Sequence, residues 1–399
     1  MRYWLMWLAS TLSGIGDGIV FVAAPLIANQ LTDNPILVAS VVAAGELPWL
    51  LVALVTGTWL DRGNQRSIMR AVEVSRMAIL WILCLLITAD RISIGILVIA
   101  SFLLGSLQTA FSAGAHAVLP QLVRNDQLVR ANGFIVSGET AASSMIGPAL
   151  GGVLFAAAAA LPFLVDGASF GVSAVLLVAA LPVVAPRSTP AEEERPSFTD
   201  DLRAGIRYFR QSPVLRTLAT GTAVLAFCQA MVTATIVLLV RRDVGLSDTG
   251  FGLVLAVGAL GSVLGGLVAD RIDRRFGTAT VLTAAGLTAS VGYAVLAFSH
   301  DFVTVAVGLA IEGIAVTIGS VSSISLRQRI VPTELLGRVG NLFRVVIYGL
   351  LPIGALTGGL LAAGIDNRAP MLVAAVGQAA AMLVIGPRLW RVLNPSAAR

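Results

Sequence analysis

Twelve apolar stretches, each long enough to cross a bilayer, follow one another along the chain with short connections. They run at roughly 4–29, 35–60, 67–88, 92–113, 131–157, 161–184, 214–240, 247–270, 278–299, 302–325, 341–364 and 369–391. About 20 apolar residues in a helix span the hydrocarbon layer. Measured against that length, the twelve runs read as spanning helices. The fold class is therefore all-α, a polytopic membrane protein with twelve transmembrane helices. The composition agrees: of 399 residues 12% are charged, against about 25% in soluble domains. The first run is too long for the apolar region of a signal peptide, about 7–15 residues, and reads as the first membrane helix.

The pattern is written twice. Gly57-Thr58-Trp59-Leu60-Asp61-Arg62, followed by Arg66, returns as Gly266-Leu267-Val268-Ala269-Asp270-Arg271, followed by Arg274 and Arg275. Leu119, Gln121 and Leu128 before the fifth span match Leu326, Gln328 and Leu335 before the eleventh, and Gly151-Gly152 matches Gly358-Gly359 at the same offset. A register held over that distance marks an internal repeat, a common mark of secondary transporters. It divides the chain into two pseudo-symmetric six-helix halves, 1–184 and 214–399, joined by a linker at 185–213. In the linker Leu202, Ile206 and Phe209 recur at helical spacing among arginines, which predicts an amphipathic helix on the membrane surface.

Charge sets the orientation. The chain has no lysine, so its 27 basic residues are all arginine, and the net charge is +5. With a cytoplasmic N-terminus, almost all the arginines of the connections fall on the inner side, and only Arg91, Arg241, Arg242 and Arg368 fall outside. The positive-inside rule therefore places both termini in the cytoplasm and the protein in the inner or plasma membrane. Arginines dispersed over short loops do not form a nucleic-acid face. Two cysteines and two histidines supply neither a disulfide framework nor a His-based metal site, and no clustered ligands or paired nucleophile and base suggest an enzyme.

Together the two hairpins resemble the loop motif of the major facilitator superfamily, and the resemblance covers nearly the whole chain. Gly16-Asp17-Gly18, Pro120–Asn132, Gly147-Pro148-Ala149-Leu150-Gly151-Gly152 and Leu202–Phe209 resemble the branch containing enterobactin exporters and macrolide- or tetracycline-type efflux proteins. Gly147–Gly152 also resembles the end of the fifth-helix motif of drug–proton antiporters. The resemblance implies that Gly57, Asp61, Arg62, Arg66, Gly266, Asp270, Arg271 and Arg275 belong to inner gates. In such gates Asp61 would meet a helix start near Asn341, and Asp270 one near Asn132. It implies that Glu139 and Arg344 face each other where the fifth and eleventh spans meet. It also implies a central cavity lined by the first, fourth, seventh and tenth helices, with Asp17, Gln108, Gln229 and Glu312 facing the transported molecule. The fourth span has Gln108 and no arginine, where many proton-coupled members carry one.

The residues themselves add a physical reason. A charge at mid-membrane costs about 2.5–3.5 kcal/mol on insertion scales, so Asp17, Glu46 and Glu312 are expected to face a cavity or a partner. A carboxyl group so placed can take up a proton on one side and release it on the other, or attract a cation. Glu73 and Arg76, at i and i+3, can pair on their own helix, and Asp166, near the end of the sixth span, is expected to meet water. Gly147, Pro148, Gly151 and Gly152 remove bulk and one backbone donor, which allows a kink and close packing. The expected function is export of a hydrophobic or amphipathic small molecule by alternating access with proton antiport. An uptake symporter or a lysophospholipid flippase of the same fold is the alternative. The expected partners are substrate, protons and the bilayer, with no cofactor beyond the proton gradient, and the expected state is a monomer.

Overall fold

The computed structural model describes residues 2–51, 65–124, 128–181 and 206–393, and all regular structure among them is helical. In chain order the helices are α1 (Arg2–Leu31), α2 (Pro35–Leu51), α3 (Gln65–Thr88), α4 (Ile94–Leu122) and α5 (Leu128–Ala141). A π-helical turn, Ala142–Ile146, leads into α6 (Gly147–Ala157), and α7 (Leu161–Ala180) follows. After a short helix at 206–211 come α8 (Pro213–Leu238), a second π-helical turn (Leu239–Asp243), α9 (Asp248–Phe276), α10 (Thr278–Ala297), α11 (Phe302–Ile330), α12 (Thr333–Gly364) and α13 (Ala369–Leu393). Among the described residues, 11 helical stretches are long and apolar enough to cross a membrane. α2 is equally apolar but has 17 residues, and the rest of its expected span lies outside the described residues.

Local chemistry sets several boundaries. Ser212 accepts from the Leu215 N–H while Pro213 opens α8, where a missing N–H is harmless. Asp301 and Thr304 form a capping box at the start of α11, and the hydrogen bonds from Thr304 hold the Asp301 carboxyl below the usual carboxylate range. The π turn before Gly147 has a local cause as well. Pro148 has no N–H to give and its ring crowds the carbonyl four residues back, so the helix widens one turn earlier.

Four helices run past their apolar stretches: α4 to Leu122, α9 to Phe276, α11 to Ile330, and α12 from Thr333. Hydropathy ends where water begins, but helical hydrogen bonding does not. Asp270, where the eighth apolar stretch was expected to end, does not close a helix: α9 continues through Arg271, Arg274 and Arg275, and the turn comes at Gly277, with φ +78°.

Two compact units are present. One is Met1–Ser188 with Val240–Ala256, and the other is Thr189–Leu239 with Val257–Arg399. The repeat seen in the sequence recurs as a repeated contact inside each unit. A Cβ added at Gly147 would stand 2.6 Å from the Ile15 carbonyl oxygen of α1, and one at Gly151 would stand 2.7 Å from that of Ile19. In the other unit, Gly354 and Gly358 of α12 hold the same relation to Phe227 and Met231 of α8, at 2.5 and 2.6 Å. Small residues let two helix backbones touch where lipid supplies no hydrophobic drive. In the first unit Met6, Met69, Phe111 and Leu177 bring α1, α3, α4 and α7 into one core. In the second, Leu215, Leu326 and Phe343 anchor α8, α11 and α12. The described end of the linker packs there too: the Tyr208 hydroxyl donates to the Ile330 carbonyl at 3.0 Å, and Phe209 lies edge-on to Phe343. Phe209 thus packs against α12.

Candidate functional site

The first unit buries an unbalanced set of charges. Each of three helices contributes one stripe: Ser13, Gly16 and Asp17 from α1, Glu73 and Arg76 from α3, and Asp166, Ser169, Phe170 and Ser173 from α7. Residues three and four apart share a helix face, so each stripe points one way. The Arg76 guanidinium donates through Nη2 to Asp17 and through Nη1 to the Ser13 hydroxyl at 3.2 Å. Its Cζ lies 3.8 Å from the Phe170 ring centroid, a cation–π contact. Glu73 Oε2 stands 3.9 Å from Nη1, while the Ser173 hydroxyl donates to Oε1 at 3.1 Å. Asp166 accepts from the Ser169 hydroxyl at 3.1 Å.

Burial separates these acids. Glu73 is 0% exposed, Arg76 1% and Asp166 1%, whereas the Asp17 side chain keeps 27% of its surface. Glu73 Oε2 and Arg76 Nε have no hydrogen-bond partner. Asp166 fits because Gly16 has no Cβ: one there would collide with the carboxylate and sit 2.7 Å from the Ser169 hydroxyl. Two expectations are corrected here. Asp166 does not meet water, and the main partner of Arg76 is Asp17 on another helix, with Glu73 on its own helix only at long range. Glu139 is on α5, which meets α1 at Gly14, 3.5 Å from the Glu139 carbonyl oxygen to a Cβ added there.

The second unit has a counterpart in which a carboxyl group meets an amide. Gln229 of α8 donates to Glu312 of α11 at 3.2 Å. The Tyr293 hydroxyl of α10 is fully buried without a partner, and its neighbour Gly292 lies against the Glu312 backbone, at 2.9 Å from an added Cβ to the nitrogen. A cavity of about 50 Å³ opens among α8, α10, α11 and α13, and no ionisable side chain lines it. Gln378 is on its wall, 1% exposed, with neither amide atom hydrogen-bonded. Tyr293 and Gln378 were missed in the sequence because a tyrosine or a glutamine in an apolar run reads as an anchor or a packing residue.

Other expected residues are placed as follows. Glu46 is half-buried on α2, and Gln108 on α4 has a buried, unpartnered Oε1. Gly57, Asp61 and Arg62 lie outside the described residues. Arg66 is in the first turn of α3, Asn341 is on α12, and Arg344 is exposed on α12. Asp270 is 71% exposed and pairs with Arg274 one turn on, an arrangement worth only a few tenths of a kcal/mol. Gly266 is exposed on α9. Gly147 and Gly151 face α1, while a Cβ on Gly152 would meet Gly252 of α9 at 2.9 Å.

The end of α1 is held by a residue the sequence offered only as a loop charge. Arg242 donates to Asn29 Oδ1 at 2.7 Å and to the carbonyls of Thr32 and Asp33 at 2.8 and 2.9 Å. A guanidinium there satisfies carbonyls that a helix end leaves bare and complements its dipole. Arg241 instead braces its own turn through Asp248, at 2.9 Å, and the Leu246 carbonyl. Arg242→Gln is expected to loosen the last turn of α1 by about 1–3 kcal/mol. Amide hydrogen exchange at residues 27–31 should then quicken by roughly fivefold or more, 1.4 kcal/mol being one decade. Unchanged protection would mean that the clasp contributes nothing.

Comparison with known proteins places the whole chain. A family model described as transmembrane secretion effector matches residues 2–393. The multidrug efflux pump Tap of Mycolicibacterium fortuitum is 24% identical over 369 residues, 90% of this chain and 88% of that protein. An uncharacterized MFS-type transporter, YceJ of Bacillus subtilis, is 23% identical over 100% of this chain and 97% of its own length. Among solved structures, a bacterial homologue of the iron transporter ferroportin in an inward-facing state superposes with a TM-score of 0.73 at 18% identity, covering 98% of both chains. The nucleoside transporter NupG superposes with a TM-score of 0.76 at 11% identity, covering 98% of this chain and 99% of that one.

Proposed function

The chain belongs to the transmembrane secretion effector family of major facilitator transporters, and on that premise we propose that it exports a hydrophobic or amphipathic small molecule by alternating access, driven by protons moving inward. The observation that carries the proposal is Asp17, a carboxylate inside an apolar span that is paired with Arg76 yet 27% exposed. A carboxylate that keeps some accessible surface and is also paired with a buried counter-charge can exchange a proton and report the exchange to the helices around it. The drug-pump relative supports export of a drug-like molecule. So does the cavity of the second unit, where Thr217, Thr222, Ser320 and Gln378 stand among apolar walls, a lining suited to an amphipathic body. In this reading both termini lie in the cytoplasm, the protein works as a monomer in the cell membrane, and it needs no cofactor beyond the proton gradient.

The test is flux in vesicles holding the purified chain in known orientation, with a fluorescent amphipathic dye and an imposed pH gradient. Dye should move from the cytoplasmic face outward, faster by at least about tenfold with the gradient than without it. Asp17→Asn should remove that acceleration. Equal flux with and without the gradient would remove proton coupling, and flux in the opposite direction would favour uptake.

A further inference from the structure

We infer that Arg76 is a two-position element, which moves from Asp17 to Glu73 when Asp17 takes up a proton and returns when the proton leaves. This rests on the proton-antiport reading above and assigns Glu73 the role of a positioning residue in it.

The geometry around the guanidinium carries the argument. Arginine has five N–H donors in a flat fork. Here Nη2 is engaged by Asp17, Nη1 by Ser13, and Nε by nothing. The nearest unused acceptor is Glu73 Oε2, 3.9 Å from Nη1, sealed from water and itself without a hydrogen-bond partner. Ser173 holds the other oxygen of Glu73, so the free oxygen stays turned toward the arginine. One acceptor is engaged, and a second waits a short step away. Glu73 is on the same helix as Arg76, whereas Asp17 is on α1. Whatever α1 does, Glu73 travels with the arginine.

Two features make the step easy. The Arg76 Cζ stands over the Phe170 ring, 3.8 Å from its centroid, so the guanidinium can turn about that point and keep the cation–π contact. The Ser13 and Ser173 hydroxyls can each donate or accept, and either can reorient as the fork turns. The charged groups facing this point are Asp17 from α1, Glu73 from α3, Asp166 from α7, and Glu139 from α5, one turn along α1 from Asp17.

The proton balance is simple. A proton from water forms an O–H bond on the exposed Asp17 carboxylate. Arg76 keeps its own protons and charge, and its charge-assisted bond passes from Asp17 to the Glu73 carboxylate. On release the O–H bond of Asp17 breaks, the proton returns to water, and the guanidinium swings back. Protonation thereby removes the charged tie between α1 and α3 and leaves only the neutral Ser13 contact. Because α1 also carries the glycine contacts with α6 and is held by Arg242, freeing it at this point is a means of turning proton uptake into helix movement.

The experiment needs no transported compound. In the structure of full-length Asp17→Asn, which mimics the protonated state, Arg76 should be found within hydrogen-bond distance of Glu73 Oε2. Thermal unfolding of the detergent-solubilised chain should show that Asp17→Asn and Glu73→Gln are each mild, because the arginine keeps one partner. The double variant should lose at least about 5 °C more than the two single losses together. In the vesicle assay Glu73→Gln should flatten the pH profile of flux, and Glu73→Asp should restore part of it, whereas a merely structural role would lower flux equally at every pH. Additive thermal losses, or an arginine still facing position 17 in the variant, would overturn the two-position assignment. Absence of pH-driven flux in the unaltered protein would instead overturn the antiport reading and leave the structural and thermal results standing.

Discussion

Arg76→Met is expected to destabilise the protein by about 3–5 kcal/mol, the usual consequence of removing one member of a buried ion pair. The side chain is 1% exposed and lies among three carboxyl groups, two of them equally sealed. A methionine of similar length keeps most of the contact with Phe170 but leaves the acids with no cation. In the background Asp17→Asn, Glu73→Gln, Asp166→Asn the same substitution should cost far less, because no uncompensated charge remains. Thermal or denaturant unfolding of the two pairs of variants in detergent decides the matter. Equal losses in both backgrounds would show that Arg76 acts through its fit against Phe170 and not through its charge.

The difference between what the sequence offered and what folding assembled is clearest at this cluster. Asp17 stood out because an isolated charge in a long apolar run has no cheap explanation. Glu73 and Arg76 did not, because i and i+3 residues can satisfy each other locally, and nothing in one helix says which neighbour its face will meet. Asp166 was misread for a related reason. Its burial depends on a missing Cβ at Gly16, on a helix distant in sequence, and a glycine in a membrane helix does not announce its partner. The glycine repeat was legible because it was duplicated: Gly151 and Gly358 occupy matching positions, and they press on α1 and α8 respectively. The end of α9 was not legible from hydropathy, because the last two turns carry Asp270, Arg271, Arg274 and Arg275 into water while the helix continues. Twelve spans follow from the length of apolar runs, whereas the contacts among them depend on faces and small residues that the runs do not reveal.

Gly152→Val is expected to reduce flux by tenfold or more while leaving the protein in the membrane. A Cβ at this position would lie 2.7 Å from the Asp248 carbonyl oxygen and 2.9 and 3.0 Å from the Cα and nitrogen of Gly252. All three are backbone atoms, so no side chain can turn aside, and α6 and the start of α9 must move apart as bodies. One turn of α6 is also wedged on its other face, where Gly151 meets Ile19 of α1, 2.7 Å from an added Cβ to the carbonyl oxygen. Overpacking of this kind costs about 1–3 kcal/mol. A carrier must make and break helix contacts in turn, so a penalty confined to one of its states shifts the balance between them by roughly 5–150-fold. Gly266→Ala supplies the contrast. Its added Cβ would find only Thr317 Cγ2 at an ordinary 3.6 Å, and replacing a mid-helix glycine by alanine should stabilise by about 0.5–1 kcal/mol. Flux per molecule and unfolding midpoint, measured on both variants, separate the cases: if Gly152→Val lowers the midpoint but leaves flux intact, the α6–α9 contact is packing alone and takes no part in the transport cycle.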